Sequence, residues 1–358
     1  MSHDESASAL PAAGGVLPFA QGGPALRGQM RSEPEDFFVD EDLGFEPDGA
    51  GEHVFVRVEK RGANTDWVAR ELARLLAVSP EAVSYAGLKD RHAVTRQTFS
   101  IQVPIKREVD WSAITHAEFN LLSALRHSRK LKRGALRGNR FRIVLRHCQG
   151  DRASAERQLA RIAAAGVPNY FGEQRFGRDA SNVQRARLML AGKRVARHER
   201  SLLLSAARSE LFNRILARRV EMATWDQPMP GEVWMLAGSH SIFGPEAETP
   251  ALLARIAAMD IHPTGALWGR GSLRSAESVA LLEAAVAAED AELAHGLEQA
   301  GLEQERRALR LNAENLVWHW NDDSLTVEFS LPSGCYATTL LRELVQVEQP
   351  EGADCMPE

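Results

Sequence analysis

The period of hydrophobic and polar positions changes twice along this chain, and the changes divide it. Up to residue 150 the pattern is mainly period two: residues 53–59 alternate as a half-buried strand would, and residues 83–85, 98–103, 121–125 and 141–145 read as further strands. Between them Asn64 or Thr65 is placed to cap a helix whose Trp67, Val68, Leu72, Leu75 and Leu76 fall three and four apart. Residues 31–42 carry Phe-Phe-Val among acids, and the strand this predicts turns Phe37 and Phe38 to opposite faces, one for a core and one for a cleft.

The second texture is helical. Residues 152–165 form an amphipathic stretch stopped by Gly166, and residues 182–190, 201–222, 251–259 and 277–299 repeat the same spacing between short Gly/Pro loops. The Gly-rich run 265–271 lacks the preceding strand and following helix of a dinucleotide site, so that reading is rejected. From Asn315 the β texture returns: Trp318 and Trp320 alternate, residues 325–331 alternate, and a Gly-containing turn at 332–336 leads into a helix.

A sheet that resumes after a helical block predicts an α+β protein in which one discontinuous domain carries an insertion. With 358 residues, 44% of them hydrophobic, two domains are expected. The boundaries drawn are a flexible Ala/Gly/Pro/Ser tail at 1–27, a sheet domain at 28–164 plus 314–350, a helical insertion at 165–313 and a C-terminal tail at 351–358.

Composition narrows the class. Three cysteines, Cys148, Cys335 and Cys355, are too few and scattered for a disulfide framework or a Cys-x-x-Cys site, and His92, His127 and His147 match no zinc spacing, so no metal is expected. No apolar run approaches membrane-spanning length and the first residues lack a signal-peptide pattern, which predicts a cytoplasmic protein without a membrane partner; a monomer is the default. The net charge of −5 argues against polyanion binding until its distribution is inspected. Between residues 126 and 146 there are nine Lys or Arg and no acid, a stripe that includes Arg129, Lys130, Lys132, Arg133 and Arg137. Such a stripe suits a phosphate backbone, since each cation that neutralises a phosphate releases counterions. Beside it Gly134, Gly138, Asn139 and Phe141 combine backbone freedom, an amide able to read a base edge and a ring able to stack.

Chemistry concentrates at residues 83–103. Two β-prone runs are interrupted at Gly87 by Lys89, Asp90, Arg91, His92 and Arg96. A carboxylate delivered by strand ends into a cationic loop is favoured in its ionised form, the state a nucleophile needs, and Asp90 is therefore the first candidate for catalysis. A glycoside hydrolase would need a second carboxylate at a matched separation, and no partner for Asp90 stands out. A non-catalytic RNA-binding protein would use the same basic stripe.

Five separated motifs in order then resemble the TruD family of tRNA pseudouridine synthases: Pro34-Glu-Asp-Phe-Phe-Val-Asp-Glu41, Tyr85-Ala-Gly-Leu-Lys-Asp-Arg-His-Ala-Val-Thr95, Leu131-Lys-Arg-Gly-Ala-Leu-Arg-Gly-Asn-Arg-Phe141, Val167-Pro-Asn-Tyr-Phe-Gly-Glu-Gln-Arg-Phe-Gly177 and Leu331-Pro-Ser-Gly-Cys-Tyr-Ala-Thr338. The resemblance implies a pseudouridine-synthase core with a mixed, largely antiparallel sheet and flanking helices, and an inserted, mostly helical TRUD domain. It implies isomerisation of a tRNA uridine, at position 13 in bacterial members, to pseudouridine without metal or organic cofactor, after the base is flipped out. By motif matching the catalytic aspartate falls on Asp90 and the substrate-binding residues on Phe37, Asn139, Phe141 and Tyr336. Arg31, Lys89 and Arg342 are the candidate electrostatic partners of the nucleophile. Two positions depart from the family pattern: Arg31 stands where Lys is expected, and Tyr336 where Phe is.

Overall fold

Period-two stretches became strands and helical-period stretches became helices. The computed structural model describes residues 16–348. It begins with β1 (Leu26–Met30), β2 (Phe37–Asp42), β3 (His53–Arg61), α1 (Thr65–Leu75), β4 (Val83–Tyr85), β5 (Val94–Gln102), β6 (Phe119–His127), β7 (Gly138–Gly150) and α2 (Arg152–Ala165). The middle of the chain gives β8 (Val167–Pro168), α3 (Ser181–Leu190), α4 (Arg197–Glu221), β9 (Trp234–Leu236), β10 (Ile242–Phe243), α5 (Pro250–Ala257), β11 (Ile261–Leu267), α6 (Glu277–Glu289), α7 (Ala291–Gln299), β12 (Glu305–Ala308) and β13 (Arg310–Leu311). It returns through β14 (Glu314–Asn321), β15 (Ser324–Pro332), α8 (Ala337–Leu341) and β16 (Val345–Glu348).

The described residues divide into two compact units, one of residues 24–159, 313–337 and 344–348, the other of residues 16–23, 160–312 and 338–343. In the first, seven strands run in the order β14-β15-β7-β2-β5-β3-β6, with β1 joining β7 to β16 and β4 paired to β5. All pairings are antiparallel except β2 with β5 and β1 with β16. The two ends of the described chain thus share one sheet.

Register decides which side chains meet, because a strand's side chains alternate between faces. The pairs Val39↔Phe141, Val39↔Thr95, Lys60↔Thr95 and Phe329↔Phe141 put Phe37, Val39 and Glu41, Thr95, Gln97 and Phe99, Val56, Val58 and Lys60, Asn139 and Phe141, and Phe329 on one face. Part of that face is covered by α1, whose Val68, Leu72 and Ala73 pack on Val54, Val56, Val58, Phe99 and Ile101. Gly138, which opens β7, admits no side chain: a Cβ there would lie 2.3 Å from the Leu331 carbonyl oxygen, so only glycine lets β15 pair this closely.

In the second unit α3, α4 and α7 bury Met189, Leu203, Leu211, Leu293 and Leu297 together. Two expectations fail there. Residues 277–299 form two helices, because Asp290 leaves helical geometry (φ −136°, ψ 54°) and its carboxylate pairs with Arg187. The Gly-rich run 265–271 does begin on a strand, β11, which lies in a four-stranded sheet ordered β10-β9-β11-β12; Pro263 and Gly265 hid it. The next helix starts only at Glu277.

The expected 1–27 tail also needs correction. Residues 1–15 lie outside the described residues, as does the 351–358 tail, but residues 16–27 are held. The buried Glu343 carboxylate accepts the N–H of Gln21 (2.9 Å) and of Ala20 (3.3 Å), the Arg342 guanidinium donates to the carbonyls of Leu17 and Pro18, and β1 begins at Leu26. Polar partners distant in sequence order this segment, which its composition does not reveal.

Candidate active site

Asp90 lies in the loop between β4 and β5, and four polar contacts fix that loop to the surrounding frame. The Gln97 amide donates to the Gly87 carbonyl (3.1 Å), and Lys89 N–H donates to the Thr65 hydroxyl (3.0 Å), which itself donates to Gln97 Oε1 (2.8 Å). Lys89 Nζ pairs with Glu41 Oε2 (2.8 Å), a carboxylate whose other oxygen accepts Thr98 N–H (3.0 Å). Finally Lys60 Nζ donates to the Asp90 carbonyl (2.8 Å) and to the Ala63 carbonyl (2.7 Å). The first residue of α1 and three neighbouring strands therefore set the backbone at residues 87–90.

The Asp90 carboxylate points to Arg31, with Nη2 and Oδ2 2.5 Å apart and both side chains 25% exposed. Arg31 holds a left-handed backbone (φ 65°), unusual for a residue with a side chain, so its position after β1 is a local strain tolerated for this placement. Its guanidinium also lies 4.3 Å from the centroid of the Phe37 ring. Phe37 meets Phe141 edge-on at 6.2 Å, and Phe141 stacks on Phe329 at 5.3 Å with 24° between the rings. Side-chain contacts thus run without a break from Asp90 through Arg31 and Phe37 to Phe141 and Phe329; Phe37 and Phe329 are buried, and of the three rings Phe141 alone is half-buried. Each aromatic pair contributes about 0.5–1.5 kcal/mol beyond burial.

Of the sequence candidates, Asp90, Arg31, Phe37 and Phe141 come together directly. Asn139 sits two residues before Phe141 on the same face, half-buried, with its Oδ1 enclosed and without a hydrogen-bond partner. Tyr336 is half-buried in the turn after β15, the strand that carries Phe329. Phe38 faces the other way, between the guanidinium groups of Arg96 and Arg142.

Two proposed partners of Asp90 are engaged elsewhere. Lys89, adjacent in sequence, is 6% exposed and turned to Glu41, because a carboxylate buried on the sheet face requires a cation more than a half-exposed one does. Arg342 belongs to the second unit, where it pairs with Glu343 and lies 4.2 Å from the Phe19 ring. The cation beside Asp90 comes from a strand end 59 residues away. In the basic stripe Arg129, Lys130, Lys132 and Arg133 are exposed, whereas Arg137 forms an ion pair with Asp42.

Lys60 and Phe329 were not singled out from the sequence. Lys60 is fully buried, with no carboxylate among its hydrogen-bond partners. Burial pushes its ammonium down to about 8, against the opposing pull of Asp90 and with a smaller push from Lys89. The signal that could have found it is the alternation Val54, Val56, Val58, Lys60, which places the lysine on the buried face of its strand. Phe329 follows similarly from its position on the alternating strand opposite Phe141.

Among the described residues no group of three His, Cys, Asp or Glu side chains forms a metal site, and no helix is long and apolar enough to cross a membrane.

Comparison with known proteins gives the family. A family model described as tRNA pseudouridine synthase D (TruD) matches residues 15–190 and 180–344. The tRNA pseudouridine synthase D of Xanthomonas euvesicatoria is 48% identical over 350 residues, covering 93% of this chain and 95% of the relative. The enzyme of the same name from Aeromonas salmonicida is 50% identical over 337 residues, covering 94% and 95%. A solved structure from Methanosarcina mazei, titled as a putative tRNA pseudouridine synthase D, shares the fold with a TM-score of 0.72 at 24% identity, over 92% of this chain and 96% of that one.

Proposed function

The chain belongs to the TruD family of tRNA pseudouridine synthases, isomerases that convert a uridine of tRNA to pseudouridine, and we propose that it acts at position 13 with Asp90 as nucleophile on a flipped-out base. The observation that carries the proposal is the continuity of the Asp90 carboxylate, through Arg31, with the Phe37–Phe141–Phe329 platform.

The reaction breaks the N1–C1′ bond and forms a C5–C1′ bond in the same molecule. Asp90 attacks C1′ and the uracil leaves as an anion; the freed base rotates; C5 then attacks C1′ and displaces the carboxylate. The proton on C5 is lost and N1 gains one, so substrate and product are isomers and the enzyme is restored. A detached base must be retained while it turns. The half-buried ring of Phe141, backed by the buried Phe37 and Phe329, provides a face on which it slides without a fixed hydrogen bond, worth about 1–3 kcal/mol per base in comparable single-stranded sites. The Asn139 amide stands two residues before Phe141 on the same face, and a turn of its side chain that uncovers the enclosed, unpaired Oδ1 gives an acceptor for uracil N3–H. Unstacking the uridine costs a few kcal/mol, which this stacking offsets.

Arg31 opposes the negative charge as Asp90 approaches the sugar, and Lys60, Lys89 and Thr65 act as positioning residues that hold the loop. The test is Asp90→Asn with unmodified tRNA transcript: binding persists, and carbodiimide mapping finds no alkali-stable adduct where the unaltered enzyme leaves one at position 13. Pseudouridine made by Asp90→Asn would remove Asp90 from the reaction; an adduct at another uridine would refute the position.

A further inference from the structure

We propose that the recess between α1 and the 130–133 turn is a seat for the phosphodiester backbone of the tRNA, separate from the site of the reacting uridine; the identity of the polyanion rests on the functional reading above. The recess has a volume of about 520 Å³, and its lining includes Asp66, Arg70, Tyr85, Lys130, Lys132 and Arg133. Many arginines elsewhere among the described residues are matched to acids, as in Arg31–Asp90, Arg146–Asp36, Arg187–Asp290 and Arg219–Glu232. By contrast, among the described residues none of Arg70, Lys130, Lys132 and Arg133 has a carboxylate within ion-pair distance, and all four are exposed. Four unmatched cations gathered in one concavity raise the potential there and call for an anion from outside the protein.

The single acid in the wall does not cancel them. Asp66 accepts the Tyr85 hydroxyl, and Arg133 lies over the same ring, 5.6 Å from its centroid, with its Nη2 3.4 Å from the hydroxyl oxygen. Tyr85 is thereby fixed as a wall between the acid and the cationic rim. The seat is also tied to the catalytic loop. Gly134 N–H donates to the Ala86 carbonyl (2.7 Å) and the Ser84 hydroxyl donates to the Leu131 carbonyl (2.9 Å), so the basic turn is pinned to the strand that runs through Gly87 into Asp90. A phosphate held in the recess would stand at a fixed register from the nucleophile, which a cation on a free loop cannot provide.

The test uses the full chain with Arg70→Gln and Lys132→Gln, singly and together, and Arg74→Gln as a comparison that removes one charge from the same helix outside the recess. Binding of unmodified tRNA transcript is measured across a salt series, together with single-turnover pseudouridine formation at saturating enzyme. Each recess variant is expected to raise Kd by about 3- to 10-fold and to reduce the slope of log Kd against log salt by about 0.7–0.9, the value for one lost phosphate contact, with the saturated rate within about twofold of the original. Arg74→Gln is expected to change Kd by less than about twofold. Unchanged affinity and slope in the double variant, or an equal effect from Arg74→Gln, would overturn the seat. If the unaltered enzyme makes no pseudouridine on this transcript, the functional reading fails while the binding series still decides the recess.

Discussion

Replacing Lys60 by Met tests whether the backbone of the Asp90 loop is held by a buried cation. The substitution keeps the volume but leaves the Asp90 and Ala63 carbonyls without their donor. Two hydrogen bonds from a charged donor are worth about 3–6 kcal/mol together. Against this, carrying the charge in the interior is costly: the fall from 10.5 to about 8 corresponds to about 3 kcal/mol at neutral pH. The net loss of stability should therefore be only about 0–3 kcal/mol, and the protein should fold. Catalysis responds differently, because a released carbonyl lets the adjacent carboxylate drift, and a displacement of about 1 Å costs on the order of 100-fold in rate. Single-turnover pseudouridine formation at saturating enzyme should fall by about 10- to 100-fold with Kd for tRNA unchanged. In the unaltered enzyme the rate should also decline above about pH 8, as Lys60 loses its charge, and Lys60→Met should lack that decline. The titrating group is faced by Asp90 and Lys89, and only its own removal should erase the limb. A Lys60→Met enzyme with the original rate and the same alkaline decline would refute the reasoning.

Three further outcomes are expected. Arg31→Met should lower the single-turnover rate by about 10- to 100-fold while shifting urea stability by no more than about 1 kcal/mol, since the pair with Asp90 is partly solvated; a normal rate would mean that Asp90 does not need its neighbour. Glu41→Gln should destabilise by about 3–5 kcal/mol by stranding the buried Lys89, and Glu41→Leu with Lys89→Met together should recover most of that in urea titration, whereas additive losses would show that the pair is not coupled. His262, pushed down to about 4 by burial and then by Arg310, with Asp260 opposing, makes the fold acid-sensitive. Below pH 6.5 the unfolded chain takes up a proton that the folded one refuses until about pH 4, so stability falls as pH falls through this window, by at most about 3 kcal/mol. His262→Asn should flatten urea midpoints measured between pH 6.5 and 4, and an unchanged slope would exclude His262 as the cause.

The large sheet, the helices of the middle of the chain and the place of Asp90 after β4 were legible because each depends on local period and on motifs read in order. The partners of Asp90 were not. Lys89 is its neighbour in sequence, but the pairing of β2 with β5 and β7 brings Glu41 to Lys89 and leaves Asp90 for Arg31. The strand expected at 141–145 in fact opens at Gly138, so that Asn139 shares it with Phe141. Strand β11 was concealed by a proline and a glycine inside a helical neighbourhood, and residues 16–23 by a composition typical of tails. In each case the missing information was a contact between residues far apart along the chain.

Because β7 pairs with β15 and β1 with β16, the order of synthesis constrains when this enzyme can begin to work. The loop with Asp90 is translated early, yet Phe329, the ring that stacks on Phe141, is added more than two hundred residues later. A chain still being made therefore leaves the long edge of residues 138–150 without one of its neighbours, an invitation to pair with another nascent chain, and a cell that stalls translation in the helical insertion would accumulate an inactive, sticky fragment.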